Sequence, residues 1–170
     1  MRTTESQFPR VLAIAPSNRG FGYAVLEGEA TLVDWGLKTV RGDKNAACIA
    51  KADKLIADYK PEVIVLQDHS IKGSRRPLRI ILLTQGIADL APKYGVSVAL
   101  FTRQRIDKVF FADGTGTRDE RAKILAERFP EELGFELPPK RRAWMREDPR
   151  MDIFDAVALA MMMRVRRFWQ

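Results

Sequence analysis

Apolar residues along this chain alternate between short continuous runs and helical spacing, and the switches between the two mark its elements. Residues 11–15 (VLAIA) form a continuous apolar run closed by Pro16, Ser17 and Asn18, the pattern of a buried strand. Residues 21–27 and 31–38 predict two more strands, joined by a short turn around Gly28 and Glu29, so the first three strands form an antiparallel meander. Over 46–59 the spacing changes: Ile49, Ala52, Leu55, Ile56 and Tyr59 recur with helical period, and Pro61 ends that helix. Val63, Ile64, Val65 and Leu66 form an unbroken apolar strand of the kind buried on both faces. A basic stretch over 71–79 leads into a helix through about residue 92, and 96–101 is a fifth strand. Two helices over about 103–111 and 118–129 follow, split by the turn Asp113-Gly114-Thr115-Gly116. Residues 134–149, rich in Pro and Arg, predict irregular chain, and a last helix runs from Met151 to the C-terminus. The order βββ-α-β-α-β-α-α-α predicts an α/β domain on a five-stranded mixed sheet, three antiparallel strands followed by two parallel ones, flanked by helices.

Composition narrows the chemistry. The 170 residues carry 29 Lys+Arg against 22 Asp+Glu, a net charge of +7, and 46% of them are apolar. That is the make-up of one globular domain over 1–170, with 1–9 as a flexible N-terminus. The basicity points to a polyanionic partner, with solubility as the plain alternative. One cysteine, Cys48, excludes an internal disulfide, a CxxC pair and a cysteine-rich zinc site. One histidine, His69, excludes HExxH and any two-histidine metal site. The N-terminus lacks an apolar signal core, and the run 156–163 is far too short to span a bilayer. A reducing cytoplasm, with no membrane partner, is the expected compartment.

The last predicted helix carries Asp152-Ile-Phe-Asp155-Ala-Val-Ala, whose i, i+3 spacing puts both carboxylates on one helical face. Acids in a first helical turn have a plain role, since negative charge is stabilising there. The functional role is oxygen ligation of a hard divalent cation. This DxxDAxALA pattern resembles the final motif of the RuvC-type Holliday-junction resolvases, members of the RNase H-like superfamily. The opening Leu12-Ala-Ile-Ala15-Pro16-Ser-Asn-Arg19-Gly-Phe-Gly22-Tyr23 is similar to that family's first strand and turn, and Pro61-Glu-Val-Ile-Val-Leu-Gln67 to its fourth strand. Arg103-Gln104-Arg105-Ile106-Asp107-Lys108, with Gly114-Thr-Gly116 and Glu120, resembles the segment after its fifth strand. The resemblance covers roughly residues 10–165, in the family's order.

That resemblance implies an RNase H-like sheet, a homodimer, and Mg²⁺- or Mn²⁺-dependent phosphodiester hydrolysis by four clustered carboxylates in DNA recombination. Two of the four positions depart from it. Ala15 stands at the place of the first-strand aspartate and Gln67 at that of the fourth-strand glutamate; only Asp152 and Asp155 match, as candidate catalytic and metal-binding residues. Alanine cannot coordinate a metal, and glutamine offers only a neutral carbonyl. Asp68 is a relocated catalytic candidate, although adjacent strand residues face opposite sides unless a bulge intervenes. Glu147 and Asp148 precede the last helix and are weaker candidates, beside Arg146 and Arg150. The expected function is nucleic-acid binding, of branched or duplex DNA, with impaired or lost nuclease activity. An active junction endonuclease using Asp68, Asp152 and Asp155 is the alternative, and a protein-interaction domain on the same scaffold a second.

Basic groups supply the binding candidates. Lys72, Arg75, Arg76 and Arg79 follow the fourth strand, and Lys140, Arg141, Arg142 and Arg146 surround Trp144, a pairing suited to phosphate contact with base stacking. Arg164, Arg166 and Arg167 lie beside Phe168 and Trp169, where complementing a helix dipole is the simpler role. Ser70 stands where the resembled family carries a base-stacking aromatic, and His69 reads as a surface loop residue. Gly20-Phe-Gly22 and Gly114-Thr-Gly116 lack the frame of a phosphate loop, while Thr117 suits a helix cap.

Overall fold

Strand alternation sets the layers of the molecule. The computed structural model describes residues 8–69 and 76–165. β1 (Val11–Ser17), β2 (Gly20–Glu27) and β3 (Thr31–Thr39) form an antiparallel meander. β4 (Val63–Gln67) pairs parallel with β1, and β5 (Ser97–Phe101) pairs parallel with β4. The order is β3-β2-β1-β4-β5, the mixed five-stranded sheet that the apolar pattern predicts.

Local chemistry sets the helix boundaries. α1 (Lys44–Tyr59) begins two residues before its apolar period, because the Asp43 carboxylate accepts the Ala46 amide at 3.2 Å. The stretch expected to be one helix as far as residue 92 is two, α2 (Leu78–Ala88) and α3 (Ala91–Tyr94). Pro92 has no N–H to continue the first helix but is tolerated in the opening turn of the second. α4 (Arg103–Phe110) and α5 (Arg118–Arg128) open on Thr102 and Thr117, whose hydroxyls accept the amides of Arg105 and Glu120. The short α6 (Pro130–Leu133) has no counterpart in the sequence reading. α7 (Met151–Met162) stops short of the C-terminus, with Met163 and Arg164 in a turn. Residues 1–7 and 166–170, which include most of the expected flexible N-terminus and the Arg166–Arg167 pair, lie outside the described residues.

Two cores follow from the alternation along β1. Leu12 and Ile14 face α1 and α2, while Val11, Ala13 and Ala15 face α7 with α4, α5 and α6. On the first side, Asp34 accepts the hydroxyls of Tyr23 (2.9 Å) and Tyr59, which ties β2, β3 and α1 together. The bond to Asp34 pushes the Tyr59 hydroxyl up to about 12. On the second side, every residue of α7 is buried except Asp152 and Asp155. Ala156, Ala158 and Ala160 let the helix approach closely, and Gly22 lets its first turn rest on β2. A Cβ at Gly22 would lie 2.1 Å from the Asp152 carbonyl oxygen. No helix of the described residues is long and apolar enough to cross a membrane.

Gly22→Ala therefore has to lift α7 from the sheet. The expected result is a loss of roughly 1–3 kcal/mol or more in urea unfolding, the usual cost of overpacking. An unchanged midpoint would show that the helix is not seated there.

Candidate functional site

The carboxyl ends of β1 and β4 meet the amino end of α7, and the residues singled out by the sequence gather there. Ala15 lies nearly buried in β1, opposite Gly22. The β1–β4 register pairs Ala13 with Val65, and Ala15 and Gln67 are the next residues of their strands on the face that α7 covers. Asp152 and Asp155 occupy the partly buried edge of α7, on one face as the i, i+3 spacing predicts. Ser17, at the end of β1, lies near Asp152, and its side chain favours the charged carboxylate there.

Arg118, the first residue of α5, fills the space between these acids. Its Nε donates to Asp155 Oδ1 at 3.1 Å and its Nη2 to Asp152 Oδ1 at 3.0 Å. The same Nη2 also reaches Asp155 Oδ2, and Nη1 donates to Glu147 Oε1. One turn along α5, Arg121 donates to Asp107 Oδ1 at 2.7 Å and lies 3.7 Å from Asp155. Two arginines at i, i+3 on α5 thus face two aspartates at i, i+3 on α7. Arg121 is only 8% exposed, so its charge depends on these partners. Burial works against the Arg118 charge too, but Asp155 and Glu147 hold it above the usual arginine range. Burial pushes the Asp152 carboxyl up, against the bonds from Ser17 and Arg118.

The remaining candidates divide. Asp68 follows the last residue of β4, where its amide donates to the Phe101 carbonyl. Among the described residues no group of three or more acids, histidines or cysteines is placed to hold a metal ion; the structure does not bring Asp68 together with the α7 acids. Asp148 is paired with Arg150 at 2.8 Å, and that bond holds its carboxyl below the usual range. Arg79 does not reach outward. Its guanidinium bonds the Ser17 carbonyl at 3.1 Å and Asn45 Oδ1 at 3.2 Å, tying α2 to β1 and α1. His69, expected as a surface loop residue, is buried, and that burial, with Arg76 nearby, pushes its imidazole down. Arg76 is exposed, whereas Lys72, Arg75 and Ser70 lie outside the described residues. Arg164 is buried, donating to the carbonyls of Gly28 and Pro9. Lys140, Arg141, Arg142 and Arg146 are all exposed, and Trp144 between them is 79% exposed. Arg141 and Arg146 line a groove of about 470 Å³ together with Arg19, Arg118 and Glu147.

Solved structures share this fold. No protein-family model and no curated sequence matches the chain, but solved structures do. *Thermus thermophilus* RuvC matches with a TM-score of 0.66 at 16% identity, over 94% of this chain and 97% of that one. The yeast mitochondrial Holliday junction resolvase Ydc2 matches at 0.62 and 15%, over 92% and 78%. Fowlpox virus resolvase, solved with its Holliday junction DNA, matches at 0.56 and 13%, over 94% and 99%. The chain has a RuvC-like, RNase H-like fold.

On this RuvC-like scaffold the donor set does not fit a pair of divalent ions. Two carboxylates are present where the resemblance implies four, and both are engaged by one guanidinium. Gln67 offers a neutral oxygen and Ala15 none. The sequence reading missed Arg118, Arg121 and Asp107 as members of the site. The signal was the repeated i, i+3 spacing of opposite charges on two separate helices.

Removing one partner leaves buried charge uncompensated. Arg118→Met is expected to cost about 2–4 kcal/mol at neutral pH, less than the ~3–5 of a fully buried pair because Arg118 remains partly exposed. Burial already pushes the Asp152 carboxyl up, and without Arg118 its folded pKa would lie further above the unfolded one. Its penalty is therefore full above the folded value and disappears below the unfolded value of ~3.9. The gap between variant and wild type in denaturant unfolding should shrink as the pH falls toward 4; a gap independent of pH would show that the pair carries no net charge interaction.

Proposed function

We propose that this protein binds branched or duplex DNA through the basic segment 138–149 and the groove beside Arg118, and that it does not cut DNA by the two-metal route. The observation that carries this reading is the exposed set Lys140, Arg141, Arg142 and Arg146 around an exposed Trp144. It borders the place where the fold gathers its site. Basic side chains supply phosphate contacts, and an indole supplies a face for an unstacked base. Similarity to *T. thermophilus* RuvC solved in complex with Holliday junction substrate, over 93% of this chain, supports a branched substrate. The incomplete carboxylate set supports binding over hydrolysis.

Binding to a four-way junction, followed by mobility shift across a salt series, is expected to weaken steeply with salt. Arg141→Ala and Arg146→Ala should each lower the salt slope by about 1. Trp144→Ala should cost roughly 1–3 kcal/mol of affinity with the slope unchanged. Incubation of the wild type with the junction and Mg²⁺ or Mn²⁺ should leave it intact. A salt-independent affinity would overturn the DNA reading, and metal-dependent cleavage lost in Asp152→Ala would overturn the loss of hydrolysis.

We also propose a homodimer through the face opposite α7. Leu78 and Leu82, one turn apart on α2, are 68% and 56% exposed, and Val98 and Leu100 are exposed on the same side of edge strand β5. Apolar side chains on a helix and a neighbouring sheet edge suit a self-complementary contact. Sedimentation is expected to give a dimer for the wild type and a folded monomer for Leu82→Glu; a wild-type monomer at micromolar concentration would exclude it.

A further inference from the structure

Three carboxylates from two parts of the chain converge on the Arg118 guanidinium: Asp152 and Asp155 on α7, and Glu147 in the segment leading into it. A guanidinium is a rigid fork of five donors that stays charged at any working pH. Here it satisfies both α7 acids at once, and Arg121 adds a second positive charge beside Asp155. A divalent ion entering between Asp152 and Asp155 would have to expel Arg118, at the cost of its bonds and of like-charge repulsion. The third contact has a different consequence. Glu147 belongs to the segment that carries Arg141 and Arg146, so the same guanidinium links that segment to α5 and α7.

We propose that Arg118 permanently holds the place of a divalent cation at the Asp152–Asp155 pair. By gripping Glu147 it also fixes the basic segment over the groove, so that DNA binding there depends on Arg118 and not on a metal ion. The second half rests on the DNA-binding function proposed above; the first half stands without it. Arg118 is in this sense a positioning residue: it orders the groups that would touch DNA.

Two experiments test the halves separately. In thermal melting, the wild type should unfold at one temperature in EDTA, Mg²⁺ and Mn²⁺, whereas Arg118→Ala should gain several degrees from Mn²⁺ once the carboxylates are free to bind it. Manganese EPR keeps the test decisive should Arg118→Ala not fold: the wild type should leave the free-ion signal of added Mn²⁺ intact. A Mn²⁺-dependent rise in the wild-type melting temperature, or loss of the EPR signal, either of them abolished in Asp152→Asn, would overturn the first half. For the second half, Glu147→Gln leaves Arg118 and the α7 acids in place. It removes a negative charge, so charge alone would tighten DNA binding. Anchoring predicts the reverse: junction affinity in EDTA falls roughly three- to tenfold, and trypsin cuts within 140–146 faster than in the wild type. Equal or tighter binding by a variant that is cut no faster would overturn the anchoring. If the wild type binds no DNA at all, the functional proposal fails, and the manganese and trypsin results still decide this one.

Discussion

A helix buried on all sides but one can carry ionised groups only along its free edge, and only if they are neutralised there. α7 is such a helix. Ten of its residues are buried, and the other two are Asp152 and Asp155. The positive end of the helix dipole favours Asp152, in the first turn, but a dipole contribution of about 0.3–1 kcal/mol cannot offset the desolvation of two neighbouring carboxylates. Arg118 and Arg121 supply what is missing. Their cost falls on α5, which places a cation at its own N-terminus against its dipole. The acids of α7 and the arginines of α5 are each unfavourable alone and mutually compensating together. That pairing fixes how the two helices pack, and through Glu147 it also determines where the preceding segment lies.

The same corner is where the fold concentrates its exposed backbone ends. β1 and β4 run parallel, so their carboxyl ends open on one side, the general location of ligand crevices in α/β sheets. Ser17 connects the two layers there: its side chain favours the charged form of Asp152 on one face, and its carbonyl accepts from Arg79 of the other. Gly22 sets the depth of the corner, because the strand next to Ser17 must admit the Asp152 backbone. A site built at this point is held by strands and by two helices. The groove segment 138–149, by contrast, has little regular structure of its own and takes its position from ionic contacts such as Arg118–Glu147 and Asp148–Arg150.

Much of the fold was legible in the sequence because it rests on periodicity. Five strands, their division into a hairpin meander and two helix-separated parallel strands, and the shared face of Asp152 and Asp155 follow from spacings within a few residues. What was not legible depends on partners far apart in the chain. Arg118 lies 34 and 37 residues from the acids it binds, and nothing near it in sequence indicates which charges it will meet. Arg79 illustrates the reverse error. In a basic run after β4 it suggests a phosphate contact, but Ser17, 62 residues away, takes its guanidinium. His69 was misjudged for a similar reason, since burial of a single loop residue leaves no periodic trace. Gly20-Phe-Gly22 lacks the frame of a phosphate loop, and the use of Gly22, admitting a helix backbone, is visible only once α7 is placed.

Charge balance explains why neutralising the α7 acids matters beyond stability. Under the proposed function a polyanion approaches the groove beside Asp152 and Asp155. Two bare carboxylates there would repel phosphates, and metal-dependent nucleases avoid this by holding cations. With Arg118 and Arg121 bound to them, Asp152 and Asp155 are no longer bare carboxylates even without an ion. Lys140, Arg141, Arg142 and Arg146 belong to none of the salt bridges formed among the described residues, so their charge remains available to solvent or to a partner. The +7 excess of the chain is thus divided between arginines consumed internally, such as Arg118, Arg121 and Arg164, and a group left exposed at the groove. Only the second kind can release counterions on contact with DNA. An arginine that replaces a metal would convert a cutting site into one that a nucleic acid can occupy without being hydrolysed.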